Sequence, residues 1–115
     1  MTFDLRPFAK ILKQKDTKKA RDWLEQNKSG LDSSDEFGRG YLLALQGMVS
    51  ALESGGELSV IKRAVNGGYG PEGIEKLIRD IRGRLSMKFR PKDEQGFDTA
   101  WVDVLQEFGA KEQDR

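Results

Sequence analysis

The chain contains no cysteine and no histidine. Without Cys there is no disulfide, no thiolate nucleophile and no thiolate metal ligand, and without His the commonest general base and metal ligand is missing. Enzyme chemistry would have to rely on carboxylates, Lys, Arg, Ser/Thr or Tyr. No apolar run approaches the ~18–20 residues that a membrane span requires, and the start MTFDLRPFAK lacks the apolar core of a signal peptide. The expected setting is the cytoplasm, with no membrane partner. No cofactor is implied by any motif.

What the chain does have is helical periodicity. Ser33 and Glu36 form a capping-box pattern, Gly55 and Gly56 supply a stop, and between them Phe37, Tyr41, Leu45, Met48 and Leu52 recur at helical spacing. This predicts a long central helix over about 34–54. Before it, Asp4 is a candidate N-cap for a helix with Pro7 in its first turn and Leu5, Phe8, Ile11 and Leu12 facing inward. Thr17 can cap a second helix that buries Ala20, Trp23 and Leu24 and stops at Gly30.

After the central helix, Leu58, Ile61 and Val65 predict a short helix closed by Asn66-Gly67-Gly68, although SVIKRAV could also be a strand. Pro71 opens a fifth helix with Ile74, Leu77, Ile78, Ile81 and Leu85 on one face. A last helix from about Glu94 to Phe108 is expected to bury Phe97, Trp101, Leu105 and Phe108 and to stop at Gly109. The expected fold is all-α: a single-domain multihelical bundle of about six helices spanning 1–115, with a frayed tail at 110–115. A chain of 115 residues has room for one core of the usual ~100–150 residues.

The formal net charge of +1 hides four blocks of alternating sign. Residues 1–28 hold 8 Lys/Arg against 4 Asp/Glu, 29–58 hold 1 against 5, 59–92 hold 9 against 3, and 93–115 hold 2 against 7. Basic helices can therefore lie beside acidic ones, within the chain or across two copies. Alternatively, the block 62–92 forms a nucleic-acid patch from Lys62, Arg63, Arg79, Arg82, Lys88 and Arg90, with Tyr69 or Phe89 to stack on a base.

The Gly-rich NGGYGPEG lacks the Lys-Ser/Thr pair of a P-loop and the preceding strand of a dinucleotide fingerprint, and Glu72 and Glu75 already occupy the helix start. The acids Asp32, Asp35 and Glu36, and again Asp93, Glu94 and Asp98, sit where first-turn carboxylates favour the helix dipole. Glu72-Gly-Ile-Glu75 is the nearest approach to the Glu-x-x-Glu of metal-dependent helical pyrophosphatases, but no second pair faces it. No nucleophile motif is present. The chain does not read as an enzyme.

Contact surfaces account for more of the pattern. Gly40, Ala44, Gly47 and Ala51, with Gly38, form a row of small residues on the central helix, and such a row admits a second helix backbone, from the same chain or from a second copy. Gly47→Leu should then disrupt packing. Trp23, Tyr41, Phe89 and Trp101 are of the types enriched in buried anchors. The expected function is protein–protein contact, as a homodimer or with an unidentified protein partner, with nucleic-acid binding as the alternative. The stretch FGRGYLLALQGMVSALESG, in a chain free of Cys and His, resembles small all-helical archaeal proteins of uncharacterised activity. That resemblance implies a helical fold and brings no site residues.

Overall fold

The computed structural model describes residues 4–31, 35–54, 59–87 and 89–110. They form α1 (Arg6–Lys13), α2 (Thr17–Leu31), α3 (Glu36–Ser54), α4 (Val60–Val65), α5 (Gly70–Leu85) and α6 (Lys92–Ala110), with no strand among the described residues. The all-α expectation holds, and SVIKRAV is helical. Ser33, Gly55, Gly56, Leu58 and the tail beyond 110 lie outside the described residues.

Several helix ends differ from their sequence signals. The N-cap of α1 is Leu5, and Asp4 sits one residue earlier, where Oδ1 accepts the Arg6 backbone N–H at 3.0 Å. Thr17 lies inside α2, and Asp16 takes the capping role by accepting the Lys19 N–H at 3.1 Å. Asp35 does the same for α3 by accepting from Gly38 N–H at 2.9 Å. In each case an aspartate just ahead of the helix captures a free first-turn donor: the expected Asp4 in α1, and Asp16 and Asp35 in place of the expected Thr17 and Ser33. Ser59 caps α4 through Lys62 N–H at 3.3 Å. Gly70, at φ +68, admits the turn that Pro71 then continues as helix. Two helices run one residue beyond their expected stops, α2 past Gly30 to Leu31 and α6 past Gly109 to Ala110. Glycine weakens a helix interior by about 1 kcal/mol and does not forbid it.

Helix α3 packs most extensively on α6, α5 lies against α6, and α2 against α3. Phe8, Leu12, Leu45, Met48, Ile61, Val104 and Leu105 fill the centre. The α1–α2 corner turns at Lys15, which takes the left-handed conformation with φ 62, and closes with Phe8 and Trp23 rings 5.1 Å apart. Lys13 fastens this corner to α6: its Nζ donates to the Glu107 carbonyl at 3.4 Å and lies 5.3 Å from the Phe108 ring centre. The radius of gyration is 13.6 Å, near the ~13 Å of a single compact domain this long.

Candidate functional site

The residues singled out from sequence fall into three places. The first is the α3–α6 crossing. Gly40 is buried in α3, and a Cβ built on it would overlap the Asp93 carbonyl. Gly96 of α6 answers it, since a Cβ there would overlap the Phe37 carbonyl. The two backbones touch at reciprocal glycines. Ala44 is buried and Ala51 half-buried. Gly47, expected in the same row, is exposed, with nothing within 4 Å of where its Cβ would stand. One residue on is 100° around the helix, and Met48 takes the inward position there. Within the chain, then, the small-residue row serves helix packing at the buried Gly38, Gly40 and Ala44 and at Ala51 on the edge of the core, and Gly47→Leu has no close packing to disrupt. Beside the crossing, the buried Tyr41 donates its hydroxyl to Asp103 Oδ2 at 2.6 Å. Burial, then this bond to a carboxylate, holds the phenol well above its ordinary range.

The second place is an ionic clasp at the α5–α6 connector. Asp98 is the one buried charged side chain among the described residues. Its Oδ2 accepts from Arg90 Nη2 at 3.0 Å, and Arg84 reaches both its oxygens at 3.3 and 3.4 Å. Arg90 also donates to Glu94 at 3.2 Å and to the Arg84 carbonyl at 3.0 Å, while its own carbonyl accepts from Gln95 at 2.8 Å. It thereby covers a free carbonyl at the end of α5 and fixes the start of α6. The hydrogen bond to Asp98 raises its guanidinium further above its ordinary range.

This clasp redistributes the expected nucleic-acid patch. Arg90 is engaged with carboxylates, and Lys88 lies outside the described residues. Arg63 is exposed, with its guanidinium 5.2 Å from the Tyr69 ring centre, and Lys62 is half-buried on α4. Arg79 and Arg82 are exposed on α5. The charge blocks pair across the chain: Arg21 of the first binds Glu53 of the second, lowering its carboxyl, while Arg84 and Arg90 of the third bind Asp98 of the fourth. No group of three or more carboxylates that could hold a metal ion occurs among the described residues.

The third place is a surface groove of about 280 Å³ lined by Val60 of α4, Leu77, Asp80, Ile81 and Arg84 of α5, and Phe97, Asp98, Trp101 and Leu105 of α6. Phe97 was expected in the core, yet 38% of it is exposed, and Trp101 is half-buried. The reason is the crossing. Gly96 faces α3, so Phe97 points about 100° away, onto the flank shared with α5. Leu105 and Phe108 are buried as expected, and Gly96, Ala100 and Val104 take the rest of the inward side. The connector after α5 carries Phe89, 99% exposed and left-handed at φ 67, and Met87, 62% exposed.

No helix among the described residues is long and apolar enough to cross a membrane. Comparison with protein families, with curated proteins and with solved structures finds no match.

Proposed function

We propose that this protein acts through protein–protein contact, as a homodimer joined at the face made by α4, α5 and α6, and carries no catalytic centre. The carrying observation is the groove itself, an apolar trough with Phe97 and Trp101 on one wall and Leu77 and Ile81 on the other, left uncovered beside a tightly packed core. Its volume of about 280 Å³ falls just short of the ~300–1,000 Å³ typical of sites that enclose a small ligand, and it suits side chains entering from a surface. The connector that follows α5 also carries Phe89, 99% exposed, in a backbone conformation that is unfavourable for a bulky residue. An apolar groove of this kind can meet its own copy across a two-fold axis.

The nucleic-acid alternative draws less support, because Arg90 of the expected patch spends its donors on Glu94, the Arg84 carbonyl and Asp98. Light scattering at micromolar concentration should give the mass of a dimer, which persists at high salt and is reduced to monomer by Phe97→Lys with little change in melting temperature. A monomer at all accessible concentrations overturns this reading. A nucleic-acid affinity that falls steeply with salt would support the alternative instead.

A further inference from the structure

We infer that the two copies meet through α5 packed antiparallel on its counterpart, in a register set by Glu72, Lys76, Asp80 and Arg84; this rests on the docking face proposed above. These four residues are spaced four apart, so they form a single ridge along the helix, and all four are exposed. Their charges alternate: acid, base, acid, base. Asp80 and Arg84 also line the groove, so the ridge is the rim of one of its walls.

Such a ridge is complementary to its own reversal. A two-fold axis between Lys76 and Asp80 sets Glu72 opposite Arg84 of the second copy and Lys76 opposite Asp80, and it does so twice. Gly83, exposed and with open space around its would-be Cβ, keeps the profile low beside the ridge. Inside the chain, Lys76 and Asp80 are 3.4 Å apart with both side chains largely exposed. An ammonium has three donors and a carboxylate about four acceptor sites, so that pairing leaves capacity for a second partner. Rows of this kind interdigitate at a crossing angle of about −50°, which brings the Phe97 walls of the two grooves towards each other's α5.

Alternating charges four apart also favour an isolated helix, and the decisive experiment separates the two effects. K76E and D80K are made separately and followed by sedimentation velocity, with circular dichroism to monitor folding. Each variant sets like charges against each other at both 76–80 contacts and should weaken self-association about tenfold or more. An equimolar mixture of the two should recover dimer, because opposite charges then meet across the interface while the pair inside each helix remains broken. The double variant K76E/D80K, which reverses both signs, should associate like the wild type. If the single variants dimerise normally, or if mixing recovers nothing, the register is wrong. A dimer broken by Phe97→Lys but indifferent to the charge variants overturns the register and leaves the docking face standing; a wild-type monomer overturns both.

Discussion

Helix α6 has two unlike sides. Towards α3 it is packed until backbone meets backbone, with Gly96 under the Phe37 carbonyl and Asp93 over Gly40. Towards α5 it leaves Phe97 partly bare above an open groove. The difference lies in side-chain size at neighbouring positions. Small residues at 96 and 100 draw α6 onto α3, and the aromatics at 97 and 101 are thereby turned to a flank that α5 does not close. The core contact is made at the cost of an apolar surface elsewhere, and that surface is what a binding module can use.

The sharpest way to break this contrast is to add one methyl group to the tight side. Gly96→Ala drives a Cβ into a carbonyl that no side-chain rotation can move, and chemical denaturation should show a loss of about 1–3 kcal/mol, even though alanine is the better helix former. A smaller effect on the same side should follow Tyr41→Phe, which removes the bond to Asp103 at a cost of about 1 kcal/mol. This substitution also has a pH signature. The folded phenol holds its proton well above its ordinary pKa of 10.0, whereas the unfolded one releases it there. The wild type should therefore lose stability as the pH rises above that value. The loss should be reduced in Tyr41→Phe, and identical pH profiles would contradict the buried hydrogen bond. Smallest, and opposite in sign, is Gly47→Ala. Its position is exposed and unobstructed, so melting should show a gain of about 0.5–1 kcal/mol from helix propensity alone. If Gly47 behaved like Gly96, the boundary drawn here between tight and open sides of the small-residue row would be wrong.

All six helices were legible because their signals are local. Pro71 marks a start within one turn, and apolar residues repeat at the helical period. The exact caps were less so, since Asp16 and Asp35 compete with neighbouring Thr and Ser for the same donors. What could not be read was the partner of each residue. Gly96 gave no sign of its importance, because the group it accommodates is a carbonyl far away in the chain. Phe97 carries the periodicity of a core residue, and periodicity cannot distinguish a core from the wall of a groove. Asp98 was explained by the helix dipole; in the fold it is the shared acceptor of two arginines. Arg90, read as part of a basic patch, belongs to that clasp. Of the candidate site, the sequence showed the apolar residues of both walls, and only tertiary packing decided that they border open space.

The reciprocal glycines also bear on how this chain can change over generations. Where two side chains meet, growth of one can be repaired by trimming the other, so such positions drift as pairs. Here each glycine faces a main-chain carbonyl, which every amino acid supplies and none can shorten. No second-site substitution of a facing residue can make room. Positions 40 and 96 should therefore stay fixed independently of each other for as long as the two helices cross at this point, while the groove rim, made of side chains alone, can change by compensating pairs.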